Sequence, residues 1–411
     1  MIRRFSLYGF LKNQRYFEPF LVLFFLEKGL TFFQIGLLIG VREICINLLE
    51  VPSGAWADVY GRRRAMLVSF AAYICAFAGF AATSSIGWFF LAMVLYAFGD
   101  AFRSGTHKAM IFHWLETQNR VSEKTKVYGY TRSWSRLGSA LSVVIAPVLV
   151  WITGEYTVVF WCAIVPYVVN MVNLGTYPVF LDGRQVKNDS IKVGMWQHFR
   201  AAAGMSFANA KIRRLLTEAV GFEGLYKAIK DYLQPLLQAA ALSMPVLLWV
   251  HERRRTALLV GAVYLVLHLI SAWASRKAHR LSAWLGGDET DVSKYLWRSY
   301  LVLFAVMLPA LALEWHTPAI FAFVCMAMVQ NFWRPVLVSR IGEYAPSEKT
   351  ATILSIESQS RSAAAMILAP AMGWIIDQFG FWPLGALGLL VSITMLASFY
   401  RPGIRENPVK V

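Results

Sequence analysis

Gly54-Ala55-Trp56-Ala57-Asp58-Val59-Tyr60-Gly61-Arg62-Arg63-Arg64 decides the fold, because it sets a short charged turn between two apolar segments of membrane length. The segments on either side, 32–54 and 64–82, are each long enough to cross a hydrocarbon core of ~30 Å as a helix. Gly54 is a small residue of the kind that lets helices approach closely in lipid. Asp58 is placed to cap or neutralise a nearby helix N-terminus, and Gly61 permits a tight turn. Arg62 and Arg63 then belong at the level of the lipid headgroups.

Outward from this turn the same alternation fills the chain. Apolar runs recur at 21–26, 66–82, 137–152, 157–172, 258–274, 301–313 and 385–399. Helices are expected near 5–27, 32–54, 64–82, 87–113, 130–152, 157–180, 217–241, 255–275, 296–313, 317–340, 351–375 and 380–400. Composition agrees: 57% of the 411 residues are hydrophobic and only 16% charged, far from the balance of a soluble domain. The expected fold class is therefore an all-α membrane protein of twelve transmembrane helices.

The formal charge of +16 would suggest nucleic-acid binding in a soluble protein. Its distribution points elsewhere. One set of loops carries Arg3, Arg4, Arg62, Arg63, Arg120, Lys124, Arg184, Lys192, Arg213, Arg276, Lys349 and Arg405, with others, whereas the opposite set carries only Lys28 and the run 253–255. This asymmetry predicts a multi-pass protein of a plasma or inner membrane with both termini cytoplasmic. Basic loops beside anionic lipids account for the charge, and no nucleic-acid partner is expected. Arg3 and Arg4 precede an apolar stretch without a small-residue cleavage site, which reads as an uncleaved first helix. Cys45, Cys75, Cys162 and Cys325 all fall inside expected helices without CxxC spacing, so neither metal ligation nor a disulfide framework is expected.

The sequence also repeats itself. Ser122-Glu123-Lys124-Thr125 recurs as Ser347-Glu348-Lys349-Thr350, and Ser133-Trp134-Ser135-Arg136 recurs at the same offset as Ser358-Gln359-Ser360-Arg361. Ala146-Pro147 is answered by Ala369-Pro370, Ala55-Trp56-Ala57 by Ala272-Trp273-Ala274, and Leu7-Tyr8 with Lys12 by Leu225-Tyr226 with Lys230. A duplicated unit follows: six-helix bundles at 1–180 and 217–411, joined by a polar cytoplasmic linker at 181–216. Parallel repeats of this kind are a transporter plan, with the substrate near midplane between the halves.

With that arrangement in view, the opening stretch resembles the G-x-L-A-D-R-x-G-R-R/K signature of the major facilitator superfamily, at Gly54, Ala57, Asp58, Gly61, Arg62 and Arg63. It departs at Trp56, where Leu is usual, and at Val59, where Arg is usual. The resemblance implies two pseudo-symmetric six-helix bundles, a conformational latch at Gly54, Asp58, Gly61, Arg62 and Arg63, and no cofactor. Ser275 and Ala278 replace the Asp and Gly in the second-half copy, so the latch is expected to be asymmetric. The antiporter pattern of that family on its fifth helix is absent. Leu7 to Lys12, Arg15, Glu18-Pro19-Phe20 and Gly129-Tyr130-Thr131-Arg132 also resemble the reduced-folate and thiamine carrier branch.

Ionisable residues inside a membrane are costly, so each is a functional hypothesis. Arg15, Glu18, Arg42, Glu43, Asp100, Arg103, Glu223, Lys227, Lys230, Asp231, Arg334, Glu357 and Arg361 lie within expected helices, with His107, Lys108, Arg132 and Arg136 toward their cytoplasmic ends. Cations outnumber anions, and Arg136 and Arg361 occupy equivalent places in the repeat. Candidate solute ligands are Arg136, Arg361, Arg132, Lys227, Lys230, Arg103, Tyr226 and Arg334, whose donors suit a carboxylate or phosphate. Candidate coupling groups are Asp231, Asp100, Glu43 and Glu357, because burial and neighbouring cations pull a carboxyl in opposite directions. Local pairing competes with each assignment: Glu357 and Arg361 are spaced i, i+4.

The expectation is a secondary transporter of a small organic solute, anionic or zwitterionic, working by alternating access as a monomer, with a proton or another ion as coupling partner. The alternatives are an exporter of lipids, amphiphiles or drugs, and a non-transporting sensor. No Walker A pattern and no nucleophile–base pair point to ATP-driven transport or to an enzyme.

Overall fold

The computed structural model of the chain describes residues 1–182, 209–245, 248–284, 288–344 and 350–399, and all regular structure among them is helical. The expected linker at 181–216 lies mostly outside the described residues, as do residues 347–349 of the second repeat copy. The first half runs α1 (Ile2–Lys12), α2 (Leu21–Glu27), α3 (Phe32–Tyr60), α4 (Arg62–Ala82), α5 (Ile86–Arg103), α6 (Thr106–Thr117), α7 (Lys124–Thr153) and α8 (Val158–Gly175). The second runs α9 (Ala210–Ala219), α10 (Leu225–Ile229), α11 (Leu233–Ser243), α12 (Glu252–Trp284), α13 (Glu289–Ala312), α14 (His316–Tyr344), α15 (Thr350–Phe379) and α16 (Trp382–Phe399).

Ten segments among the described residues are long and apolar enough to cross a membrane. Two more, 2–27 and 210–243, complete the twelve expected spans, but each is interrupted. The first stops at Lys12 and resumes through a 3-10 turn at Glu18–Phe20. The other passes through a π-turn at Val220–Gly224 and a 3-10 turn at Lys230–Tyr232. Lys12 and Lys230 are the residues that the repeat aligns, so the duplication extends to where the helices break. A third break, at Ser104 and Gly105, divides the expected fourth span into α5 and α6, with Gly105 at φ +73°. That backbone conformation is open to glycine at no steric cost.

The chain forms two compact units, Met1–Leu30 with Leu38–Asn188 and Met244–Leu265, and Thr31–Leu37 with Asp189–Ser243 and Val266–Val411. Unit 1 packs an aromatic core in which Phe160 lies 4.6 Å from Phe24 and 5.3 Å from Phe80. In unit 2 Phe222 stacks on Trp333 at 4.0 Å and 12°, with Tyr300 and Trp297 edge-on. Large apolar side chains also point outward, Val165 and Val172 on α8 being more than 60% exposed. That is the reverse of a soluble protein and suits lipid contact.

Each unit includes a short length of helix from the other sequence half, and both are fitted in the same way. In unit 2 the first turn of α3 lies on α15: the Asp377 carboxylate accepts the Phe32 and Phe33 N–H groups at 3.0 and 2.8 Å, and a side chain on Gly36 would collide with the backbone at Ala369 and Pro370. In unit 1 the start of α12 lies on α7, where a Cβ on Gly261 would fall 2.6 Å from Pro147, and Arg253 pairs with Glu27 at 2.8 Å. Gly36 and Gly261 stand at the same offset as Arg136 and Arg361, so the repeat is written in these contacts too.

The charged turn that opened the sequence differs from expectation in two respects. Nothing lies within 4 Å of a Cβ built on Gly54, which faces outward on α3, so no close approach is made there. The cap on α4 comes from Asp182, not Asp58: its Oδ1 accepts the Arg63 N–H at 2.7 Å, and its carboxyl stands 2.8 Å from where a Gly61 Cβ would lie. Asp58 sits one turn back inside α3, where Arg62 is its partner at 3.3 Å. Gly61 has φ +107°, as a sharp turn requires. Trp56, the departure from the family pattern, packs edge-on against Phe102 at 5.5 Å.

Deep in unit 2 the buried Glu218 carboxylate accepts Arg340 at 2.7 Å, Arg214 at 3.1 Å and Ser293 at 3.0 Å. Both Glu218 and Arg340 are essentially inaccessible, so truncating one leaves a stranded charge, at a cost of about 3–5 kcal/mol. Arg340→Met is expected to lower the melting temperature sharply in detergent, and adding Glu218→Gln to recover a large part of the loss. Gly261→Val or Gly36→Val is expected to cost roughly 1–3 kcal/mol by overpacking, while Gly54→Ala leaves the melting temperature unchanged. Equal melting temperatures for all three glycine variants would contradict these contacts.

Candidate functional site

The helix breaks of unit 1 converge on a cavity of about 380 Å³. Its wall carries Lys12 at the end of α1, Arg103 at the end of α5, Lys108 on α6 and Arg132 on α7, with Asn13, Tyr8, His107 and Tyr128 between them. No carboxylate belongs to this wall. Breaks of this sort put unsatisfied backbone and polar side chains where a solute can use them, which lipid could not tolerate. Asn13 covers part of the α1 end by donating to the Gly9 carbonyl at 2.7 Å.

Behind the wall, Asp100 is saturated. It accepts from Arg103 at 2.8 Å and from the Tyr73 hydroxyl, and Arg15 stands 4.0 Å away. Arg103 Nε also donates to Tyr73 Oη at 3.0 Å, which fixes the guanidinium in place. Lys12, Lys108 and Arg132 make no ion pair among the described residues; Lys12 instead lies 5.9 Å over the Tyr8 ring and Lys108 5.5 Å over Tyr128. Glu43 pairs with Arg42 at 3.0 Å, away from the cavity lining.

Unit 2 organises its charges differently. Glu223, in the π-turn, is bonded by Arg361 and by Arg334 at 3.4 Å; Glu357 holds Arg334 at 2.8 Å and Arg361 at 2.5 Å. Two carboxylates and two guanidiniums thus alternate around a closed ring that ties the broken helix to α14 and α15. Glu357 is inaccessible and Arg334 is 40% exposed, so the ring has one open side. Lys227 donates to Ser362 at 3.1 Å, Lys230 pairs with Asp231 at 2.6 Å, and Tyr226 lies half-buried on α10.

Of the residues singled out from sequence, the structure brings Arg103 and Arg132 into the unit 1 cavity, and Arg334, Arg361 and Glu357 into the unit 2 ring. Asp100 braces the former. The repeat-related arginines have different surroundings: Arg361 is held by two glutamates, whereas Arg136 is exposed with no ion-pair partner among the described residues. Lys12, Asn13, His107 and Lys108 enter the cavity without having been proposed as its ligands. The polar run Lys12-Asn13-Gln14-Arg15 inside an otherwise apolar span is the signal that marks the break. No group of three or more His, Cys, Asp or Glu side chains that could hold a metal occurs among the described residues.

Comparison with known proteins accords with this architecture. The family model of the Major Facilitator Superfamily matches residues 13–356. The uncharacterized MFS-type transporter YxaM of Bacillus subtilis (strain 168) is 23% identical over 404 residues, covering 96% of this chain and 94% of that protein. Among solved structures, the nucleoside transporter NupG superposes with a TM-score of 0.74 at 12% identity, over 97% of this chain and 98% of that one. A POT family transporter in complex with 5-aminolevulinic acid gives 0.68 at 12% identity, over 96% and 95%. A bacterial homolog of the human lysosomal transporter Spinster gives 0.64 at 16% identity, over 97% and 93%. At these identities the superpositions speak for the fold alone. The chain belongs to the Major Facilitator Superfamily and is a multi-pass membrane transporter of that kind, a carrier and not an enzyme.

Proposed function

We propose that the protein is a secondary transporter of a small organic anion or zwitterion, which it binds in the unit 1 cavity and carries by alternating access, with both termini in the cytoplasm. The observation that carries this reading is the composition of the cavity wall: four basic side chains, no carboxylate, and three cations that make no ion pair among the described residues. A carboxylate, phosphate or sulfonate arriving there would gain charge-assisted hydrogen bonds while cancelling the repulsion among its ligands. Tyr128 and the His107 ring give the same cavity aromatic surface against which an organic body can pack. The unit 2 ring is neutral, each guanidinium paired with both carboxylates, which suits it to holding the broken helix in place while unit 1 supplies the attraction.

Arg132 and Lys108 are exposed and make no ion pair among the described residues, so their removal tests binding with little threat to the fold. A hydrogen bond to a charged group contributes about 1.5–3 kcal/mol, and its loss is worth roughly tenfold or more in affinity. In proteoliposomes loaded against a panel of organic acids and matched neutral solutes, uptake of one or more acids is expected. Arg132→Ala and Lys108→Ala should each raise the KM for that acid roughly tenfold, with melting temperatures unchanged. Uptake confined to neutral solutes, or acid uptake indifferent to both substitutions, would refute the anion reading.

A further inference from the structure

We infer that His107 is the residue at which the cavity takes up a proton together with its anion, an inference that rests on the anion reading of that cavity. His107 stands in the first turn of α6, just past the Gly105 break, and its ring forms part of the wall. It is clamped by aromatics: stacked on Tyr8 at 3.7 Å and 18°, and edge-on to Phe5 at 5.5 Å and 87°. Its Nε2 lies 3.5 Å from the Tyr177 hydroxyl. Tyr177 donates its own proton to the Arg4 carbonyl at 3.1 Å, so its oxygen meets the imidazole as an acceptor. Nε2 therefore keeps the hydrogen of the neutral ring, and Nδ1 is the nitrogen left to bind a proton.

The groups that face this imidazole are almost uniformly cationic or neutral. From α1 come Tyr8 and Lys12, from α5 Arg103, from α6 itself Lys108, from α7 Tyr128 and Arg132, and from the segment after α8 Tyr177. Asp100, the carboxylate bonded to Arg103, is spent on Arg103, Arg15 and Tyr73. In the empty cavity a fifth positive charge on His107 is opposed by the other four. An anion seated among them reverses that opposition, so proton and anion each make the other bind more tightly, by the same factor in both directions. The chemistry is simple addition of one proton to Nδ1, with no other bond made or broken.

The carboxylates elsewhere are less suited to the task. Glu43, Asp231 and Glu357 each hold an arginine or lysine in a salt bridge, and protonation would have to break it. His107 has no such bond to lose.

The test uses the full-length protein in detergent and sulfate as the probe, because sulfate does not itself titrate between pH 5 and 8. Calorimetry at constant ionic strength, repeated in buffers of different ionisation enthalpy, yields both the affinity and the protons taken up per anion. The expected result is a sulfate affinity that rises as pH falls through the imidazole range, approaching tenfold per pH unit, with close to one proton taken up. His107→Gln should bind sulfate with an affinity that no longer varies with pH, and Lys12→Gln should bind more weakly with the slope intact. His107→Asn serves if the Gln variant misfolds, and the proton count in the unaltered protein stands without either. Sulfate binding that is flat with pH, or a slope that survives His107→Gln or vanishes in Lys12→Gln alone, would overturn the assignment while leaving the anion cavity standing. Absence of sulfate binding at every pH would overturn both.

Discussion

Inside a bilayer every backbone N–H and C=O must find a partner within the protein, and most of what is distinctive in this molecule follows from that constraint. Unbroken helices meet it by themselves. The three interruptions, at 13–17, at Ser104-Gly105 and through 220–232, do not, and it is there that the ionisable side chains collect. Lys12, Asn13, Arg15, Arg103 and His107 surround the first two breaks, while Glu223, Lys227, Lys230 and Asp231 ride on the third. Charge and irregular backbone are thus two faces of one requirement, and each makes the other tolerable in an apolar surround.

The two halves come from one duplicated plan yet use their charges unlike each other. Unit 1 concentrates cations around a cavity and spends its buried aspartate on bracing one of them. Unit 2 matches two arginines with two glutamates and leaves no net charge in the ring. Arg136 and Arg361 show the divergence at a single aligned position: one stands exposed and the other is gripped by Glu223 and Glu357.

Hydropathy alone located the membrane spans well, because ~20 apolar residues in a row have few other uses. Nine of the twelve appear as continuous helices near their expected places, and the duplication was visible in short matching words such as Ser133-Trp134-Ser135-Arg136 and Ser358-Gln359-Ser360-Arg361. The breaks were harder to see. No proline or glycine marks the end of α1, and Gly105 sits in the polar run Arg103-Ser104-Gly105-Thr106-His107-Lys108 within a span read as one continuous helix. Pairing between distant segments was not legible: Asp58 was the obvious cap for the helix after the signature, but Asp182 takes that place from more than a hundred residues away. Spacing offered Arg361 one partner, Glu357, and the fold adds a second, Glu223, from another helix. Local spacing reports i, i+4 partners and is silent about those supplied by another helix.

Gly36 against Ala369-Pro370 and Gly261 against Pro147 are contacts between nearly smooth surfaces, with no side chain from the glycine to interlock with its neighbour. Helices that mesh through ridges and grooves must climb over one another to move, since packed side chains favour a few discrete settings. Helices that touch backbone to ring have little to climb. Such joints set two helices at a fixed closest distance, and their angle is then held by polar bonds at the helix starts, Asp377 to Phe32 and Phe33 in one case and Arg253 to Glu27 in the other. In a membrane, where no water can fill a gap between helices, that division of labour lets close packing and a defined crossing angle be specified by different residues.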